Sequence, residues 1–216
     1  MPPRALEPAG VALVDKPVGP SSFSIVAQIR SVTGAKTGHA GTLDPFASGL
    51  LLILSGRSTK LAPTLVGLDK RYLTEIDLSA TTTTGDPEGE IVERHAVPDE
   101  LDLDSLRGEI ELPVPAASAV KIGGERAYKL HRRGIAVEMP LRRSLVHALE
   151  LVGRDGDCAT LDMRVSSGTY VRSIAQALGG HCRTIRRLEV GPFSVEEAAP
   201  PEAFTLLSEA EALARL

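Results

Sequence analysis

The 216-residue chain carries 24 Lys and Arg against 28 Asp and Glu, a net charge of −4, and is 43% hydrophobic. This is the balance of a globular chain with room for a sizeable core. It excludes a membrane-spanning helix, which needs roughly 18 apolar residues in a row, and two cysteines, Cys158 and Cys182, exclude a disulfide framework. The N-terminal MPPRALEPAG shows no basic segment followed by an apolar one, so no signal peptide is expected and a cytoplasmic location with free thiols is.

In chain order, VALVDKP (11–17) reads as a strand ended by a proline turn. Ser21 or Ser22 is placed to cap a helix over FSIVAQIRSV, with Gly34 as its end. LLLIL (50–54) is a continuous apolar run, which suits a buried strand or a buried helix segment equally. Residues 59–68 read as helical, RYLTEIDLSATT (71–82) alternates as a strand, and TGDPEGE is a loop. DELDLDSLRGEI predicts a short capped helix, and the segment from 141 to 171 predicts two or three strands around RDGD. Residues 172–178 read as a helix, and SVEEA with the last twelve residues as small helices. The expectation is one α+β domain over 1–216 with largely antiparallel strands and a small helical tail from about 196.

Several chemistries are absent from the sequence. GRSTK (56–60) has an arginine where a phosphate loop needs lysine, and Gly49 stands too far before Gly56. There is no GxSxG elbow, and the five histidines show neither HxxxH nor HExxH spacing. No metal site is expected.

Three segments carry candidate chemistry. In GHAGTLDPFASGL, Asp44 before Pro45 suits a helix N-cap, but Gly38, Gly41, Ser48 and Gly49 around it suit a loop that approaches a ligand closely. In KRY (70–72), Tyr72 beside two cations is either a core residue or a stacking platform for a base. In SSGTYVRS, Tyr170 and Arg172 would share one face of a strand. An arginine on an apolar face needs an anionic partner. No acid follows Asp162 nearby, so that partner is distant or a ligand, and Asp44 is one candidate. Such pairing would keep Asp44 ionised, as a nucleophilic carboxylate requires. Cations gather at Lys121, Arg126, Lys129, Arg132, Arg133, Arg142 and Arg143, and again at Arg183, Arg186 and Arg187. They form either a solvated face or a basic face on an acidic chain.

Taken in order, VDKPVGPSS, GHAGTLDPFASGLL, TKL, DKRYL, TGDPEG, SAVKIGGERAYKLHRRG, SSGTYVRS and IRRLEVGPFSVEEA resemble the motifs of the TruB family of tRNA pseudouridine-55 synthases, from about residue 11 to 207. The resemblance implies a pseudouridine synthase fold with a mixed, mostly antiparallel central sheet. It implies an isomerase of uridine in the TΨC stem-loop of tRNA that uses no cofactor or metal and acts as a monomer. Asp44 matches the nucleophilic aspartate, with attack at C1′, attack at C6 or a glycal route all left open. His39 matches the residue that fills the space left by the displaced base, Tyr72 the tyrosine that stacks on the flipped uracil and helps in proton removal at C5, and Arg172 the arginine paired with the aspartate. Tyr170, Ile185 and Lys16 match residues bordering the pocket. RNA-backbone contacts are expected from Lys121, Arg126, Lys129, Arg132, Arg133 and Arg186. Ala117 stands where an aromatic is common, and the stretch from Tyr170 to Arg186 is shorter than usual. No C-terminal RNA-binding domain is expected. A tRNA-folding chaperone, or action on another RNA uridine, are the competing readings.

Overall fold

Every residue of Leu50–Leu54 is fully buried, and their strand is the spine on which half of the chain is built. The computed structural model describes residues 8–216. In chain order these form β1 (Gly10–Lys16), α1 (Ser22–Thr33), β2 (Thr37–His39), β3 (Ser48–Ser55), α2 (Ala62–Val66), β4 (Lys70–Asp77), β5 (Ala80–Thr82), β6 (Ile91–Arg94) and β7 (Gly108–Pro113). They continue with β8 (Lys121–Ile122), β9 (Glu125–Arg126), α3 (Ala127–Arg132), β10 (Leu141–Asp155), β11 (Cys158–Val165), α4 (Val171–Ala177), β12 (His181–Val190), β13 (Phe193–Ser194) and α5 (Glu209–Leu213). The described residues divide into two compact units, 8–72 with 186–216, and 73–185.

In the first unit the strand order is β1-β3-β12, with β2 against β3 and β13 against β12. β1 and β3 run antiparallel from Gly10↔Ser55 to Lys16↔Gly49. β3 and β12 run parallel through Ser48↔Arg186 and Gly49↔Arg187. Lys16, Gly49 and Arg187 therefore stand in one row across three strands. The apolar run is a strand and not a helix segment: it pairs with β1 along its length, and its side chains are buried on both faces. Leu50, Leu52 and Leu54 pack with Val11, Leu13, Leu65, Val190 and Phe193, each such side chain contributing about 1.5–3 kcal/mol on burial. α1 is capped as its sequence suggests: Ser21 Oγ accepts from Ser24 N, and Gly34 ends it at φ 65°.

In the second unit the strand order is β4-β11-β10-β7, and β5-β6 and β8-β9 form two small hairpins. β10 and β11 turn at Gly156, φ 53°. The helix expected over residues 99–110 is absent. Asp102 caps only the single 3₁₀ turn Asp104–Leu106, Gly108 follows at φ 79°, and the alternation of GEIELP pairs with β10 as β7. The strand expected over 71–82 breaks at 78–79, where Asp77 Oδ1 accepts from the amide and hydroxyl of Ser79.

At Gly49, φ is 100° and an added Cβ would lie 2.3 Å from Arg187 O and 2.7 Å from its amide nitrogen. Gly49→Ala is expected to lose more than about 2 kcal/mol in urea unfolding. Gly156→Ala, with open space around it, should lose only about 1–2 kcal/mol.

Candidate active site

Asp44 does not cap a helix. Its carbonyl accepts from Ala47 N at 3.1 Å, so Asp44-Pro45-Phe46-Ala47 is a β-turn, with aspartate and proline at the two positions that favour one. The turn lies in the loop between β2 and β3, and Asp44 is half-buried.

That loop is held from beneath by two buried cations. Lys16, at the end of β1, is 0% exposed and donates from Nζ to Pro17 O (2.8 Å), Pro20 O (2.9 Å) and Pro45 O (3.4 Å). Arg187, on β12, is 1% exposed and donates from Nε to Leu50 O (2.7 Å), from Nη2 to Gly41 O (3.1 Å) and from Nη1 to Thr42 O (3.5 Å). Glycine at position 49 leaves no side chain between these two in their row. Ser22 Oγ adds a further tie, accepting from Leu43 N and donating to Leu43 O, both at 2.8 Å. Asp44 thus sits on a backbone fixed on both sides.

The electrostatics follow from burial. The Lys16 ammonium is pushed down to about 8 by desolvation, with the Asp44 carboxylate opposing the shift and Arg187 adding to it. Lys70, donating to Val66 O at 2.6 Å and to Leu68 O, is likewise pushed down to about 8 by desolvation and then by Arg187. His39, at the end of β2, has its imidazole pushed below the usual 6.5 by burial first and Arg187 second. Among the described residues its Nδ1 has no hydrogen-bond partner. Tyr72 is 8% exposed on β4. Arg186 gives both terminal nitrogens to the Asp15 carboxylate, at 3.1 and 2.8 Å.

The second unit holds the remaining candidates. Tyr170 and Arg172 do not lie on a strand: Tyr170 is the extended residue before α4, and Arg172 is in its first turn. Arg172 is 4% exposed. Its Nη1 donates to Asp86 Oδ2 and to Thr84 O, both at 2.9 Å, and its Nη2 to Ala117 O at 3.0 Å. Asp86 also accepts from Thr84 Oγ1 at 2.6 Å and Glu88 N at 3.1 Å. The distant carboxylate that a buried arginine demands therefore includes Asp86, inside the loop read as TGDPEGE. The partnership expected with Asp44 would join residues of different units and stays an expectation. Ile185 is buried on β12, 5% exposed.

Lys121, Arg126, Lys129, Arg132 and Arg133 are all exposed on the β8-β9 hairpin, α3 and the residue after it. Arg133 pairs with Glu125 at 2.8 Å, Arg126 donates to Ala119 O, and Arg132 lies over the Tyr128 ring. Sequence reasoning missed Asp86 and Arg187. The signal for Asp86 was a carboxylate among turn residues; for Arg187 it was the alternation of a strand, β12, that was not recognised. Among the described residues no group of His, Cys, Asp and Glu could hold a metal ion, and no helix is long and apolar enough to cross a membrane.

Residues 29–171 match the TruB family pseudouridylate synthase N-terminal domain. The chain belongs to the TruB family. It is 41% identical to the tRNA pseudouridine synthase B of Mycobacterium sp. (strain KMS), covering 90% of this chain and 71% of that one. It is 41% identical to that of Thermobifida fusca (strain YX), covering 95% and 78%, and 37% identical to that of Bordetella avium (strain 197N), covering 94% and 89%. Among solved structures it resembles a chain of a Cbf5-Nop10-Gar1 complex (TM-score 0.63, 28% identity, 86% of this chain) and one of an H/ACA RNP bound to a substrate RNA containing 2′-deoxyuridine (TM-score 0.65, 25% identity, 89% of this chain). It spans about half the length of each of those two chains, 50% and 51%. The fold is α+β, that of the pseudouridine synthases, with the mixed and mostly antiparallel sheet the motifs implied.

Because His39 is held below its ordinary value, the unfolded chain binds its proton first as pH falls. Stability should therefore drop from about pH 6.5 downward. His39→Gln is expected to flatten that drop in denaturant unfolding measured between about pH 7 and pH 5.

Proposed function

We propose that the chain isomerises uridine to pseudouridine in tRNA, at the TΨC stem-loop, with Asp44 as nucleophile. The observation that carries this reading is the anchored turn: a half-buried carboxylate on a loop whose carbonyls are gripped by Lys16 and Arg187. Positioning of that kind is what converts a weak nucleophile into an effective one, because the geometry is set before substrate arrives. The names of the relatives, tRNA pseudouridine synthase B, point to the same reaction.

The target uridine has to leave its stack before a carboxylate reaches it, at a cost of roughly a few kcal/mol. Stacking on the Tyr72 ring offsets this by about 1–3 kcal/mol. His39, its pKa lowered by burial first and Arg187 second, is an apolar-faced ring suited to the vacated space, and the uncharged form avoids the larger cost of burying a charge. Arg172 and Tyr170 enter the reading through the GTYVR segment, and Ile185 through the segment before Arg187. Exposed Lys121, Arg126, Lys129 and Arg132 supply phosphate contacts. The chain is read as working without a cofactor or an obligatory protein partner, in the cytoplasm.

The test is incubation with unmodified tRNA transcript and mapping of pseudouridine at nucleotide resolution. Wild type should place it at one uridine of the TΨC loop, and Asp44→Asn should bind the transcript but form no product. Product from Asp44→Asn at the wild-type rate would remove Asp44 from its role. Absence of product from the wild-type chain would overturn the activity.

A further inference from the structure

Two adjacent arginines at the start of β10 have opposite surroundings, and the pairing with β7 explains why. The register sets Arg142 beside Leu112, Arg143 beside Glu111, Ser144 beside Ile110 and Leu145 beside Glu109. Residues paired across strands share a face, and neighbours along a strand alternate. Glu109, Glu111 and Arg143 therefore share one face, where Arg143 Nε meets Glu111 Oε1 at 3.2 Å. Arg142 is on the other face, with Leu112, Ser144 and Ile110. There, a pocket is lined by Arg142, Ser144, Gly168, Thr169, Tyr170 and Ser173, together with the two aliphatic residues, and no carboxylate lines it. Among the described residues Arg142 has no ion pair.

The guanidinium is seated, not merely exposed. Gly168 has φ 80°, and a Cβ there would lie 2.2 Å from Arg142 Nη2, 2.8 Å from Cζ and 3.0 Å from Nε. The absence of that one atom lets the planar head group lie against the turn that leads to Tyr170. An uncompensated cation held on a hydroxyl-bearing surface, with the local acids sorted to the opposite face, is complementary to an anion. Arginine's planar fork suits a phosphate in particular.

We propose that Arg142, seated over Gly168 beside Tyr170, binds a backbone phosphate of the substrate RNA. This rests on the reading of the chain as an RNA-modifying enzyme, and it assigns Arg142 to binding and not to chemistry. Arg143, neutralised by Glu111, has no such role and serves as an internal control.

The experiment measures affinity for unmodified tRNA transcript over a series of salt concentrations, together with pseudouridine formation under saturating transcript. Arg142→Gln should weaken binding and reduce the slope of log K against log salt by about 1. Arg142→Lys should restore the slope while recovering only part of the affinity. Arg143→Gln should leave the slope as in wild type. A wild-type slope in Arg142→Gln would overturn the proposal. So would a fall in melting temperature with no change in slope, which would make Arg142 a packing residue. A wild-type chain that forms no pseudouridine would instead sink the enzymatic reading, so the two failures are distinguishable.

Discussion

Two buried cations hold the main chain on either side of Asp44. Lys16 reaches Pro45 O from the end of β1, and Arg187 reaches Gly41 O and Thr42 O from β12. A buried cation is costly unless its protons are matched by acceptors, and here the acceptors are carbonyls of the candidate site's own loop. The loop has no regular structure of its own and needs donors; the cations need acceptors. Each requirement meets the other, and the carboxylate between them inherits a fixed position. The leucine run of β3 completes the arrangement. It supplies Leu50 O to Arg187 and brings Gly49 into the row between the two cations.

The electrostatic consequence reaches the neighbouring groups. Burial first, and the Arg187 guanidinium after it, disfavour the charged forms of the bases nearby. His39, Lys16 and Lys70 are all lowered, with burial as the larger cause in each. A neutral imidazole beside a fixed guanidinium is a consequence of the same anchoring that positions the turn. In the second unit the same logic recurs around Arg172, whose fork is matched by Asp86 and by the carbonyls of Thr84 and Ala117. Both sites use a buried arginine to hold loop carbonyls.

Much of this was legible from residue types. The Ser21 and Gly34 caps, the β10–β11 hairpin and the glycine-rich setting of Asp44 all follow from local rules, and the ordered motifs identified the family. Local rules failed where the deciding partner is far along the chain. Asp44-Pro45 satisfies the pattern of a helix cap and of a β-turn alike, and pairing of β3 with β1 and β12 selects the turn. Asp102 and Ser105 look like a helix start, but Gly108 and the pairing of β7 with β10 end it after one 3₁₀ turn. Arg187 sits in IRRLEV between Arg186, the half-buried pair partner of Asp15, and a leucine, and its alternation with Ile185 marks it as buried only once β12 is recognised as a strand. Its role depends on carbonyls about 140 residues earlier in the chain.

Arg187 is expected to act on the reaction by positioning the Asp44 turn. Arg187→Lys keeps a cation at that place but cannot span the carbonyls of Gly41, Thr42 and Leu50 together. The direct measurement is the single-turnover rate of pseudouridine formation on saturating unmodified tRNA transcript, with unfolding followed in parallel. The Arg187→Lys variant should still unfold cooperatively and bind the transcript, with a rate about 100-fold lower. A folded Arg187→Lys variant turning over at the wild-type rate would contradict it.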